Sequence, residues 1–255
     1  MERKRRIKQS VCKWCYKNMS TEELAKEAVR LGLTGLDLIG ADEWAIVKKY
    51  GLEVTMSSGP ATIPEGFNRK ENHDRLDREY KSLIERAAKE KIPNIITFSG
   101  NRKGMSDAEG LENTVIGLNR IKKYAEDAGV TICMELLNSK VNHPDYMCDH
   151  TAWGVEVCKR VDSPRIKLLY DIYHMQIMEG DVIRTIRDNA KWIGHYHTGG
   201  VPGRNEIDGT QELNYRAITQ AIVDLGFGGY FAHEFIPKRD NPMQSLDEAT
   251  TICDV

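Results

Sequence analysis

Four residues of metal-ligand type recur along the second half of the chain: Glu135, Asp171, His197 and Glu234. Their successive separations are 36, 26 and 37 residues. Each stands at or near the end of a short apolar run, within Thr131–Leu136, Ile166–Asp171, Trp192–His197 and Gly229–Phe235. Three carboxylates crowded into a partly dry site raise one another's pKa and are costly to bury unpaired. A divalent cation removes that conflict. Three carboxylate oxygens and one imidazole nitrogen form a mostly hard donor set, which favours Mn²⁺ or Mg²⁺; Co²⁺ and Zn²⁺ are compatible with it. Any one acidic residue at a strand end is commonly a helix cap or a salt-bridge partner. Four such residues on four consecutive runs are harder to obtain without a shared purpose.

Residues near the four add further chemistry. His174 follows Asp171 by three residues, in the first turn after its strand, where it is either structural or substrate-binding. Arg204 lies in the glycine-rich loop Gly199–Arg204, which could bend to bring it over the site. Its planar fork suits a carboxylate or hydroxyl groups; the plain alternative is a surface pair with Glu206. Asn138, just past Glu135, could bond a substrate oxygen. His195 shares a strand face with His197 and is expected one layer deeper, supporting it. His233 faces away from Glu234 and is expected to be structural. Trp14 could form an apolar wall or be plain core.

The elements that must position these residues follow from two alternating periods. Apolar runs of strand length alternate with longer stretches of helical period, separated by Gly or Pro. The predicted strands are Ile7–Cys12, Gly35–Ile39, Leu52–Met56, Asn94–Phe98 and the four runs named above. Ser20 with Glu23 reads as a capping box opening the first helix, and Gly32 ends it. A short helix is expected over 42–49. A long one carries Leu76, Tyr80, Leu83, Ile84 and Ala87 on one side, and another carries Leu111, Val115, Leu118, Ile121 and Ala125. Later helices are expected over Thr151–Arg160, around Met178–Asn189 and through Ile218, Ile222 and Leu225; a last, short one would start near Ser245. Eight units in 255 residues is the size of a compact barrel repeat. This predicts an α/β fold, a (β/α)₈ TIM barrel, as a single domain over residues 1–255. In a barrel, all parallel strands aim their C-terminal ends at one face, so residues distant in sequence converge there. A doubly wound open sheet is the alternative, but Cys12–Cys15 stands where its glycine-rich turn would be.

Bulk properties narrow the function. Hydrophobic residues make up 40% and charged residues 29%, a globular composition able to fill a large core. The formal net charge of −2 gives no electrostatic case for nucleic acid or an anionic membrane. No apolar stretch reaches transmembrane length. The basic stretch at 2–6 has no signal-peptide core after it, so a cytoplasmic location is expected; a trimmed export leader would make it periplasmic. The six cysteines are dispersed and do not resemble a disulfide framework. Cys133 reads as reduced core, and Cys12–Cys15 has the spacing of a redox motif or half a zinc site. A homo-oligomer is compatible with the sequence.

Taken together, the segments Met134–Asn138, Tyr170–His174, Gly194–His197, Pro202–Glu206, Glu212–Tyr215 and Glu234–Pro237 resemble the xylose-isomerase-like barrel superfamily. Within it the chain is most similar to hydroxypyruvate isomerases and ketose 3-epimerases. The resemblance runs from the first strand to about residue 240. It implies that Glu135, Asp171, His197 and Glu234 hold the metal, that His174 and Arg204 bind substrate, and that Glu135 and Glu234 double as acid and base. The Pro-Gly-Arg loop favours the hydroxypyruvate isomerase branch. His197, where many of those isomerases carry Gln, favours the epimerases. The expected partner is a small sugar or hydroxy-keto acid, transformed by proton transfer through an enediolate. Two rivals remain: a metal-dependent phosphodiesterase of the endonuclease IV type, and a sugar-binding barrel without catalysis.

Overall fold

The computed structural model describes residues 4–255. Eight strands, β1 (Lys8–Cys12), β2 (Gly35–Ile39), β3 (Glu53–Ser57), β4 (Asn94–Thr97), β5 (Thr131–Glu135), β6 (Ile166–Asp171), β7 (Ile193–Thr198) and β8 (Tyr230–His233), pair in sequence order, and β8 closes on β1. Every pairing is parallel. This is the expected TIM barrel. The strand bounds differ from the sequence reading by one or two residues, which leaves Glu234 immediately past β8.

Among the described residues, ten α-helices surround the barrel: α1 (Thr21–Arg30), α2 (Trp44–Lys49), α3 (Lys70–Lys89), α4 (Asp107–Asn119), α5 (Lys122–Ala128), α6 (Thr151–Val161), α7 (Ile172–Met178), α8 (Val182–Asn189), α9 (Tyr215–Asp224) and α10 (Pro242–Ile252). Ser20 and Glu23 form the predicted capping box on α1. Three helix readings are corrected. The run through Leu111 and Ala125 breaks into α4 and α5 around Arg120 and Ile121. The helix expected around Met178–Asn189 is two. Asp171 caps α7 directly at the strand end by accepting a bond from the His174 amide, and Gly180, at φ +65°, separates α7 from α8. The last helix is no short turn from Ser245, because Asn241 caps it and Pro242 supplies a preorganised first residue.

The main core lies between strands and helices, where Leu24, Leu36, Tyr80, Ile84, Leu118, Val157 and Ile218 are buried. A smaller cluster of Met56, Ile96, Cys133 and Leu169 fills the barrel interior. Side chains two apart on a strand share a face. Cys133 and Leu169 in that plug therefore put Glu135 and Asp171 one layer higher, at the C-terminal mouth. All six cysteines are free and buried. Burial pushes the Cys12 and Cys15 thiols well up, away from the reactive thiolate form. No described helix is long and apolar enough to cross a membrane. The basic stretch at 2–6 lies partly outside the described residues.

Candidate metal and substrate site

The four sequence-selected residues meet at the barrel mouth. Glu135, Asp171, His197 and Glu234 are buried, and one ligand atom from each lies within 4.8 Å of the others. His197 Nδ1 is 3.3 Å from Glu135 Oε1 and 2.7 Å from Glu234 Oε2. Yet neither His197 Nδ1 nor Glu135 Oε1 has a partner in hydrogen-bonding direction. Leaving buried polar atoms unsatisfied is costly. Converging lone pairs without bonds between them are what a cation-binding cradle presents, so the residues present fit a divalent ion.

Charge at the site is divided unevenly. Burial pushes the Glu135 carboxyl up, against the nearby His197. Burial also lifts Asp171, to about 8, although Arg204 opposes it. Glu234 is buried as deeply, but Arg204 and His197 overcome burial and hold it well below the usual carboxylate range. His197 is held well above the usual imidazole value, because Glu234, Cys12 and Asp37 outweigh burial.

Arg204 reaches the site from the loop after β7. Its Nη2 donates to Asp171 Oδ2 at 3.0 Å and to Glu234 Oε2. The guanidinium carbon sits 5.1 Å from the Trp14 ring centre and 5.3 Å from that of Tyr173. The loop is built for this placement. A Cβ on Gly200 would collide with the Glu206 carbonyl oxygen, and Arg204 itself is left-handed, at φ +59°. Glu206, the alternative partner weighed for Arg204, instead accepts the Lys238 amide at 2.7 Å and the Ser245 hydroxyl at 2.9 Å.

His174 is fully buried and adjoins the cluster, with Nε2 3.7 Å from Asp171 Oδ2. Burial and Arg204 drive its pKa well down, so it is neutral. Its Nδ1 accepts the Asn138 amide at 3.0 Å, which places the proton on Nε2. Asn138 is engaged within the protein at both ends. Its Oδ1 accepts the amides of Val141 and Asn142, and its Nδ2 donates to Asn142 Oδ1 at 2.7 Å. Asn138 thus organises the loop and seats His174.

One buried acid beside the cluster escaped the sequence reading. Asp37, in β2, is fully buried, with Oδ1 3.0 Å from His197 Nε2 and Oδ2 3.0 Å from His195 Nε2. Burial opposes its charge, but the two imidazoles overcome this and hold it far below the usual range. His195 is thus the deeper support expected, acting through Asp37. The signal for Asp37 was present: a lone acid within Gly35–Ile39. Trp14 does line the cavity, but its indole N–H also donates to Glu234 Oε1 at 2.6 Å. His233, bonded to Gln9 Oε1 at 2.8 Å, is structural as expected.

A cavity of 400 Å³ opens above the cluster. Its lining combines Glu135, Glu234, Arg204, His143 and Trp14 with the apolar Leu38, Ile63, Ile96, Phe98 and Leu137.

A barrel whose mouth gathers three carboxylates and an imidazole defines a class with known relatives. The family model described as xylose isomerase-like TIM barrel matches residues 25–252, and the chain belongs to that family. The 2-oxo-tetronate isomerase of Cupriavidus necator is 34% identical over 128 residues, 50% of this chain and 47% of that protein. The D-psicose 3-epimerase of Ruminiclostridium cellulolyticum is 31% identical over 195 residues, 70% of this chain and 62% of that protein. The chain thus spans about half the length of the first of these curated relatives. Among solved structures, an AP endonuclease of family 2 from Brucella melitensis superposes with a TM-score of 0.84 at 21% identity, over 94% of this chain and 97% of that one. At that identity the likeness speaks for the fold.

Proposed function

We propose that the protein is a divalent-metal-dependent isomerase or epimerase of a small hydroxy-carbonyl compound. The observation that carries this reading is the convergence of Glu135, Asp171, His197 and Glu234, with two unsatisfied ligand atoms, beside a cavity that Glu135 and Glu234 line. A divalent ion, Mn²⁺ or Mg²⁺ by donor chemistry, would supply Lewis-acid stabilisation of the negative charge that develops on a carbonyl oxygen.

The chain's own groups carry the proton. Glu135 and Glu234 both face the cavity. One takes the proton on the carbon next to the carbonyl, giving an enediolate, and a carboxylate returns it. Return to the neighbouring carbon, with the hydroxyl proton passing to the former carbonyl oxygen, isomerises the substrate; return to the same carbon from the opposite face epimerises it. Glu135 Oε1, free of hydrogen bonds, is able to gain and lose a proton without breaking one. Trp14 and Arg204 fix both oxygens of Glu234, so its position is set before substrate arrives. The neutral His174, with its proton on Nε2, is a donor for a substrate oxygen.

The curated relatives support both outcomes, one being named an isomerase and the other an epimerase. Hydroxypyruvate-type isomerisation and ketose 3-epimerisation are therefore the two reactions to test. Chelator-treated protein with Mn²⁺ restored, incubated in D₂O with a panel of ketoses and hydroxy-keto acids, should place deuterium at the carbon next to the carbonyl. No exchange across the panel would reject the reading, as would full activity in protein shown to contain no metal.

A further inference from the structure

The two sides of the cavity differ in chemistry. Every charged or acid–base group lies on the side formed by β1, β5, β8 and the Arg204 loop. Leu38, Ile63, Ile96 and Phe98, from β2 to β4 and the loops after them, form an apolar wall, and Leu137, just past β5, adds to the apolar lining. The hydroxyl on that wall, Ser58, donates back to the Leu38 carbonyl at 3.2 Å. Arg204 is the one cation among the described lining residues, and it is already paired with Asp171 and Glu234. A divalent ion and Arg204 together balance three carboxylates, which leaves no surplus positive charge for an anionic tail. His143, on the reactive side, is held neutral by burial and Arg204.

The apolar wall is a built feature. Leu38 is left-handed, at φ +55°, at an irregularity where the register of β2 against β3 shifts on both sides of Asp37. A leucine rarely adopts that conformation. Such bulges re-aim side chains next to active sites, and strain there persists only where the surroundings impose it. Here the irregularity lets adjacent residues serve one site: Asp37 turns to His197, and Leu38 lines the cavity.

We propose that this wall is a subsite for the non-reacting end of the substrate, and that it selects a deoxygenated, methyl-terminated end over a hydroxymethyl, phosphate or carboxylate end. This rests on the reaction proposed above and names its substrate class. A terminal methyl group gains from contact with Leu38, Ile96 and Phe98. A hydroxyl there meets only the Ser58 oxygen, whose own proton is committed to the Leu38 carbonyl, and a phosphate meets no free cation. Hydrophobic pockets discriminate against an added hydroxyl by roughly 10–100-fold.

The test compares a 6-deoxyketohexose, the matching ketohexose and its 6-phosphate by solvent deuterium exchange in the Mn²⁺-loaded protein. kcat/KM is expected to be about tenfold or more higher for the deoxy sugar than for the ketohexose, with the 6-phosphate poorest. Leu38→Asn, whose side chain tolerates a left-handed backbone and brings an amide to the wall, should close most of that gap through KM. Leu38→Met should keep it. Equal or better turnover of the ketohexose, or preference for the 6-phosphate, overturns the subsite while leaving the reaction standing. Exchange with none of the three, nor with any hydroxy-keto acid, rejects the reaction and the subsite with it.

Discussion

Asp37 Oδ1 lies 3.0 Å from Nε2 of His197, and both side chains are fully buried. A carboxylate held in its charged form can only accept a hydrogen bond. Nε2 of the imidazole therefore donates to Asp37, and Nδ1 faces Glu135 and Glu234. Such an outer carboxylate fixes tautomer and ring orientation and raises ligand basicity; losing one typically costs about 10–100-fold in metal affinity. Asp37→Asn should weaken Mn²⁺ binding by that amount in calorimetry, with near-native circular dichroism. Unchanged affinity would leave His197 oriented by packing alone.

Trp14 serves Glu234 in a comparable way, from the other end of the barrel's closure. Trp14→Phe keeps a ring beneath Arg204 but deletes the indole N–H bonded to Glu234 Oε1. If that bond positions Glu234 for proton transfer, kcat should fall about tenfold and KM should move little. A rise in KM with kcat preserved would assign Trp14 to substrate contact instead.

Glu135 and Glu234 are the groups assigned to proton transfer. Glu135→Gln and Glu234→Gln should each remove most turnover while thermal unfolding stays cooperative. Wild-type exchange rates in either variant would remove that residue from the acid–base step.

Away from the site, Arg102 ties the segment after β4 to the long loop after β5. It donates to the carbonyls of Tyr146 and Met147 and pairs with Asp107 and Asp149, each at 2.9 Å. Arg102→Ala should cost about 1–3 kcal/mol at pH 7, read as a lower thermal midpoint. Burial works against charge on Asp149, but Arg102, Ser139 and His150 hold its pKa below the ordinary value. Its contribution is thus complete above the unfolded carboxylate pKa of about 4 and fades as pH drops through the lower folded value. The gap between wild type and variant should shrink below pH 4 or so. A gap independent of pH would assign the loss to the carbonyl bonds.

The barrel and the convergence of the four candidate ligands were legible because strand period and unit spacing are properties of the sequence itself. Glu135 and Asp171 end β5 and β6, and parallel pairing alone brings them together. Asp37 was not legible, because its value depends on which strand closes against which: β2 sits across the barrel from β7, 160 residues away in sequence. The part Asn138 plays in seating His174 was not legible either. The loop conformation that engages its amide with Val141, Asn142 and His174 has no periodic signature. The break between α7 and α8 was missed for a local reason: Asp171 is both a ligand candidate and the cap of α7, so helix begins with no intervening loop.

The central claim is that Glu135, Asp171, His197 and Glu234 together hold one divalent ion. Calorimetric titration of Mn²⁺ into chelator-treated protein tests it most directly, with Asp171→Ala and His197→Ala alongside. The account predicts one ion per chain for the wild type and binding weakened by at least 100-fold in each variant. Wild-type protein that takes up no ion, or variants that bind it as tightly as the wild type, would contradict it.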